Sequence, residues 1–514
     1  MINKLQDLGI PKEILGIAKK LHEHKFAVYL VGGCLRDILL AQSGVDGIGY
    51  KPKDWDIATD AKPEEILKLF TDSVYENNFG TVGIKVETED QSLKIVEVTT
   101  YRLDGQYTDN RHPDAVQFAG TIEEDLARRD FTVNSMAVSL IGDKRQATIG
   151  ATGNTATSDK FIDPFGGQAD LKNKIIRAVG KPEERFNEDA LRLLRAVRFA
   201  AQLGFKIESV TREAIKKQAY LLGAISQERI RDEFSKLINS LGAADGIREL
   251  LELGLLKYIV PELIEGVGME QNLHHIYSVF EHNVRALDYT VSKNYSFEVR
   301  LASFLHDVGK ARTKMGVGKY ATFYNHEVVG AKMTAKILER LKFSRDTIEY
   351  VTHLVRQHLF YYNVGEVSAA GVRRFLMRVG PENIDDLLKV READRIGSGV
   401  PKAFPYKLRH LLFMIEKVKR DPISPKMLAV NGDSLIKDLK MTPSPRMGGI
   451  LGALLEEVLD DPLKNTKEFL LARASELNKL TDKELFDLRK KSENRQEEFE
   501  SGAEEAMKKK FAVK

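Results

Sequence analysis

From about residue 184 to the C-terminus, apolar residues recur at three- and four-residue spacing, so most of this chain can bury them only along helix stripes. Ahead of that point, short β-prone runs alternate with helical stretches. Residues 27–31 (AVYLV) form an apolar run that stops at Gly32-Gly33. Residues 54–58, 80–87 and 94–99 read as further strands, and 34–40 and 63–70 as helices, with Pro63 suited to a first helical turn. The expected fold class is α+β: a small mixed sheet with helices, then a mostly helical body.

A chain of 514 residues exceeds what one core usually serves. The expected divisions are 1–140 for the sheet-bearing unit, 141–180 for a connection and the end of that unit, 181–270 for a helical region, 271–400 for a histidine-rich helical region and 401–514 for a helical tail. Residues 141–160 are rich in Gly, Thr, Ser and Asp without periodicity and read as an exposed loop, and 492–514 as a solvated, highly charged end. No apolar run reaches 18 residues, the N-terminus has no secretory pattern, and Cys34 stands alone, which together lead us to expect a cytoplasmic protein with no membrane partner. The net charge of +3, from 78 basic and 75 acidic residues, neither demands nor excludes a nucleic acid.

Asp54 and Asp56 are two apart on an expected strand, so both carboxylates point to one face while Trp55 points to the other. Hard oxygen ligands in such a pair suit Mg²⁺, although most Asp-x-Asp segments are only solvated turns. The strand–Gly32-Gly33–helix arrangement places backbone N–H groups at a helix N-terminus, where phosphate is attracted, and Arg36 lies one turn in. Arg36 can equally pair with Asp37. Further on, RRDFTVNSMA (128–137) offers Arg129 beside Asp, Thr and Asn, and RFNEDALRLLRAVRF (185–199) carries Arg192, Arg195 and Arg198 over an arc of about 120° of one helix. The plain alternative for that helix is an Asp189–Arg192 ion pair worth a few tenths of a kcal/mol.

Taken in order, LVGGCLRD, DWDIATD, RRDFTVNSMA, DPFGGQADLKNKIIRAVG and RFNEDALRLLRAVRFAAQLGF resemble class II tRNA nucleotidyltransferases and the related bacterial poly(A) polymerases over roughly residues 15–270. The resemblance implies a nucleotidyltransferase head at 1–140, a helical neck at 181–270, and addition of CCA to the tRNA 3′ end from CTP and ATP with release of pyrophosphate. It implies that Asp54 and Asp56 hold Mg²⁺ and are catalytic, that Gly33, Arg36 and Arg129 bind the incoming nucleotide, and that Asp189 and Arg192 read its base edge. Arg195 and Arg198 then serve phosphates or hold that template in place, and Glu97 is a further acidic group near the metals. Residues 78–84 (NFGTVGI) look like the CCA-adding branch, and 99–118 like the flexible loop of full CCA adders. Poly(A) polymerase is the nearest alternative.

Seven of the eleven histidines lie within residues 274–358. LHDVGK (305–310), with FEHNVRAL upstream and READRIG downstream, resembles the HD phosphohydrolase superfamily. The resemblance implies a metal site at 271–400 made by His282, His306, Asp307 and Asp394 and holding a divalent ion, with 2′,3′-cyclic phosphates or phosphomonoesters as substrates. His326, His353 and His358 are then available for substrate phosphate or a second ion. A hydrolase active only through this half is the remaining alternative.

Overall fold

The structure is a computed structural model that describes residues 8–42, 51–75, 80–104, 116–141, 161–272, 276–360, 362–363, 372, 375–376, 378–400, 405–419, 427–460, 464–481 and 484–485. Residues 78–79, most of the 99–118 loop, 142–160, 492–514, His274 and His275 lie outside these, and so do the expectations attached to them. The chain forms two compact units, residues 1–358 with 389–400, and 359–388 with 401–514.

The first unit opens with helix α1 (Lys12–Glu23), then β1 (Val28–Val31) running directly into α2 (Gly32–Gln42). β2 (Trp55–Thr59), α3 (Pro63–Leu69), β3 (Ser73–Tyr75), β4 (Thr81–Lys85) and β5 (Ile95–Thr100) follow. A two-stranded pair, β6 (Arg102–Asp104) and β7 (Val116–Phe118), precedes α4 (Ile122–Ala127), β8 (Ala137–Ser139), β9 (Phe161–Ile162) and α5 (Gly167–Asn173). Seven strands make one mixed sheet in the order β3-β4-β5-β2-β1-β8-β9. β2 and β5 are parallel, and the other neighbours antiparallel. All four residues of β1 are buried, which explains why its sequence reads as a continuous apolar run rather than an alternation. Tyr29 and Val31 pack with Ile122 and Leu126 of α4. Because β9 pairs with β8, the sheet continues past residue 140, to Ile162.

A short parallel pair, β10 (Ile175–Ile176) and β11 (Lys206–Ile207), ties the end of the head to the helices that follow. These are α6 (Pro182–Glu188), α7 (Leu191–Leu203), α8 (Ser209–Gln218), α9 (Gln227–Ile238), α10 (Ala243–Glu252) and α11 (Pro261–Ile264). Beyond them lie α12 (Val279–Ser292), α13 (Phe297–Leu305), α14 (Lys310–Thr313), α15 (His326–Arg340), α16 (Arg345–Gln357) and α17 (Ile384–Gly397). Gly309 and Gly330 let α14 and α15 meet backbone to backbone: a Cβ at Gly309 would fall 2.3 Å from the His326 carbonyl oxygen. The fold is therefore α+β, a sheet-bearing head followed by helices.

The second unit contains α18 (Tyr406–Lys419), α19 (Gly432–Leu439), α20 (Pro445–Asp460) and α21 (Lys467–Leu477). Leu435, Ile450, Leu454, Val458 and Leu470 are fully buried at its core. No helix among the described residues is long and apolar enough to cross a membrane.

Candidate active site and candidate metal centre

β2 starts at Trp55, so Asp54 sits in the bend just before the strand, exposed, while Asp56 is half-buried within it and Trp55 is buried. β5 runs parallel to β2 with Glu97 in register with Asp56, which places Glu97 at the same level on the same face. Gly32 has φ 75°, and a Cβ there would lie 2.9 Å from Arg129 Nη1 and 3.1 Å from Asp56 Oδ2. The residue must therefore be glycine for two reasons, its backbone conformation and the space that the acid and the guanidinium occupy. Burial, followed by the charge of Asp54, raises the Asp56 carboxyl above its usual range, against the pull of Arg129 and Arg36. A buried acid beside a second carboxylate is a pair that a divalent cation relieves, so these residues fit the metal role.

Arg36 is buried and committed within the protein: Nε donates to Asp37 Oδ1 at 2.8 Å and Nη1 to Asn134 Oδ1 at 2.7 Å. Arg129 pairs with Asp125 at 3.2 Å, and its buried Nε has no hydrogen-bond partner among the described residues. Cys34 lies behind this turn; burial and then Asp56 push its thiol up to about 12. At pH 8 the thiolate fraction is then on the order of 10⁻⁴. Iodoacetamide should leave native Cys34 unmodified and alkylate it fully in denaturant; native labelling at the denatured rate would contradict this environment.

The helical row is wired differently from the simplest reading of its spacing. Arg192 pairs with Glu188 at 2.6 Å and donates to the carbonyls of Arg185 and Arg128, whereas Asp189 pairs with Arg229 of α9 at 2.7 Å. An Asp189–Arg192 ion pair is therefore not formed. The other Asp189 oxygen accepts the Leu191 N–H at the start of α7. Arg195 holds Asp130 at 2.6 Å, and Arg198 holds Glu233 of α9 at 2.5 Å with its guanidinium 3.7 Å from the Phe199 ring centre. Asp130 is buried, a cost that Arg195 outweighs, so its carboxyl is held well below the usual range. Arg195 and Arg198 thus clamp the head segment, α7 and α9 together. Arg229 and Glu233 were not singled out from sequence; their only signal is polar residues in a helix that is apolar on its other face.

The second cluster lies in the helices beyond. His282 Nε2 and His306 Nε2 face each other at 2.9 Å; Asp307 Oδ2 is 3.0 and 3.3 Å from them, and Asp394 Oδ1 is 3.4 and 3.6 Å away. Ligands about 2.1 Å from a common ion sit about 3.0–3.4 Å apart, so this donor set fits one divalent cation. His306 Nδ1 donates to the Ser303 carbonyl at 2.7 Å, which turns its Nε2 lone pair inward, as a ligating imidazole requires. His326 and His358 do the same with the carbonyls of Phe323 and Val355, and their Nε2 atoms lie 3.3 and 3.7 Å from Asp307 Oδ1. The two oxygens of Asp307 thus face two groups, His282–His306–Asp394 and His326–His358, and His353 belongs to neither. Burial disfavours the charged ring of His306, but Asp307 and Asp394 outweigh it and raise it to about 10; burial and then His306 push His358 down to about 3.

Three family models match the chain: the poly A polymerase head domain over 28–177, the "probable RNA and SrmB-binding site of polymerase A" over 204–266, and tRNA nucleotidyltransferase domain 2 over 321–474. A CCA-adding enzyme of Ligilactobacillus salivarius is 32% identical over 91% of this chain and 96% of its own length. The chain belongs to the tRNA nucleotidyltransferase/poly(A) polymerase family. An A-adding tRNA nucleotidyltransferase of Deinococcus radiodurans is 35% identical over 67% of this chain and 76% of that relative. The crystal structure of the Bacillus stearothermophilus CCA-adding enzyme in complex with CTP is also similar, at 28% identity and a TM-score of 0.57, over 91% and 97% of the two chains. In this family member Asp56 lies on β2 of the head sheet with Asp54 in the bend before it, and the histidine–aspartate cluster lies among helices further along the chain.

Proposed function

We propose that this protein completes tRNA by adding CCA to its 3′ end from CTP and ATP. The observation that carries the reading is the near full-length similarity to a CCA-adding enzyme, on a head whose glycine turn lies against Asp56, two residues from Asp54. Asp54 and Asp56 are the residues to hold divalent metal, taken as Mg²⁺. Bound there, it supplies Lewis acidity that eases deprotonation of the tRNA 3′-OH and shields charge developing on the α-phosphate. The chain's own contribution is position. The N-terminus of α2 at Gly32-Gly33 presents backbone N–H groups and a positive dipole end to the phosphates, and the Arg129 guanidinium, with Nη1 against Gly32, offers a further donor. Asp189, gripped by Arg229 and the α7 N-terminus, retains lone pairs for the exocyclic amine of cytosine or adenine, a group that uracil lacks.

Incubation with labelled CTP, ATP and Mg²⁺ on tRNAs ending at N73, C74 or C75 tests the proposal. Ordered addition of C, C and A supports it. Addition of A alone to the C75 substrate would favour the narrower A-adding reading that the Deinococcus relative suggests, and untemplated A tails on any RNA would favour poly(A) polymerase. Asp189→Ala should relax rejection of UTP by roughly 10- to 100-fold in competition, since one hydrogen-bonded base contact is lost. Unchanged CTP-over-UTP preference would remove Asp189 from the template.

The second cluster supports a second activity, metal-dependent phosphoester hydrolysis, with 2′,3′-cyclic phosphates or phosphomonoesters as the substrate class. His282, His306, Asp307 and Asp394 are the ligands for one divalent ion, which supplies an acidified water for attack on phosphorus. His326 and His358 are placed for a second ion or for substrate phosphate.

A further inference from the structure

The segment from Lys310 to His326, KARTKMGVGKYATFYNH, links two elements of the second cluster and belongs to no assigned role. It contains Lys310, Arg312, Lys314 and Lys319, three aromatic residues, and neither Asp nor Glu. Its tip is turned outward: Met315 is 66% exposed, Val317 84%, Tyr320 77% and Tyr324 72%. Side chains of that size and polarity are seldom left in solvent together without a purpose.

The loop is also held in shape. Met315 and Thr322 exchange both backbone hydrogen bonds, at 2.8 and 2.9 Å, and Gly316 and Gly318 take the positive φ that the tight return needs. Asn272 donates to the Ala321 carbonyl at 3.0 Å and Lys314 to the Glu270 carbonyl at 2.7 Å, anchoring both sides to the same neighbouring strand of chain. The anchor leads into the cluster. Gln271 accepts from Lys310, which pairs with Asp307 at 2.6 Å and lies 5.5 Å from the Phe323 ring centre. The Phe323 carbonyl in turn accepts from His326 Nδ1. Tyr324 is thus one residue from the group that orients a candidate ligand.

We propose that Tyr324, with Tyr320, is a stacking platform for the terminal bases of an RNA whose 3′ phosphoester enters the second cluster. This deepens the hydrolase reading and rests on it, naming RNA 3′ ends rather than small phosphoesters as the substrate class. Lys310 is taken by Asp307 and Arg312 by Glu265, but Lys314 is held, among the described residues, only by a carbonyl, and exposed tyrosine faces beside such a cation are what a single strand needs from a surface. The stacking contact is sequence-tolerant, because every base has a π face, and is worth roughly 10- to 100-fold in affinity per base.

Two measurements on the full-length protein test the platform. An RNA ending in 4-thiouridine 2′,3′-cyclic phosphate is irradiated with the protein and cross-linked peptides are mapped; cross-links within residues 315–324 are expected, and are to disappear in Tyr320→Ala/Tyr324→Ala. Cross-links confined to the head would overturn the proposal, as would concentration-dependent self-association lost in the same variant with no cross-links in the loop. In the second, kcat/KM is compared for adenosine 2′,3′-cyclic phosphate and glycerol 1,2-cyclic phosphate, which has the ester but no base. Tyr324→Ala should lower the ratio of the two roughly 10-fold through KM, and Tyr324→Phe should restore it. An unchanged ratio would refute the platform. Hydrolysis of neither ester by the wild-type protein would refute the hydrolase reading itself, while the cross-link map would still judge the platform.

Discussion

Asp56→Ala is expected to lower incorporation of both C and A by at least about 10³-fold, with Asp54→Ala close behind, because each removes a ligand from a unit that functions only when complete. The effect should fall on kcat. Nucleotide binding should weaken far less, since the α2 N-terminus and Arg129 remain in place, and equilibrium binding of CTP to each variant checks this. Asp56 is half-buried, and the guanidiniums facing it, Arg129 and Arg36, keep Asp125 and Asp37 as partners, so its removal does not strand a buried charge and the head should stay folded. Near-normal single-nucleotide incorporation by either variant would exclude the pair as the catalytic metal site. Loss of C addition with A addition intact would be equally incompatible, because both steps use the same two carboxylates.

Replacing His306 by alanine should abolish binding of transition metal to the second cluster and any hydrolysis of 2′,3′-cyclic nucleotides, while addition to tRNA persists. The two sites share no residue: every group placed in the first, Glu233 included, precedes residue 240, and the second begins at His282. Asp307 is a harsher test. Its carboxylate is fully buried, and Lys310 and His306 hold it well below the usual range against the cost of burial. Asp307→Ala would leave the Lys310 ammonium with Gln271 alone, a loss of about 3–5 kcal/mol by analogy with broken buried ion pairs. Asp307→Asn keeps the shape and is the cleaner variant. Metal content by mass spectrometry and thermal melting together separate loss of the ion from loss of the fold. Purified wild-type protein that takes up no Mn²⁺, Ni²⁺ or Co²⁺ and hydrolyses no phosphoester would reduce the cluster to a polar core.

Local sequence determined a good deal here, because the features concerned are local in physical origin. The run into Gly32-Gly33 specifies a strand that must stop and a helix that can start, since at Gly32 only a residue without a Cβ tolerates the turn beside Asp56. The β-prone residues around Asp56 place it on a strand, and apolar spacing gives the helical body. Even so, the strand boundary is one residue later than expected, leaving Asp54 in the preceding bend, a shift that backbone hydrogen bonding decides and composition does not. Tertiary structure decided the long-range pairings. Helical spacing puts Arg192, Arg195 and Arg198 on one arc but cannot say which acid each will meet. Sequence proximity favours Asp189 for Arg192, whereas the fold gives Arg192 to Glu188, Arg195 to Asp130 and Asp189 to Arg229, forty residues away in the chain. The same holds for Asp307. Its neighbour His306 is visible in the sequence, but that His326 and His358 turn their Nε2 atoms to its other oxygen depends on carbonyl acceptors three residues before each ring and on the glycine contact of α14 with α15. Charges choose partners by distance in space, and over separations of tens of residues that distance is set by how helices pack, not by how residues are spaced along them.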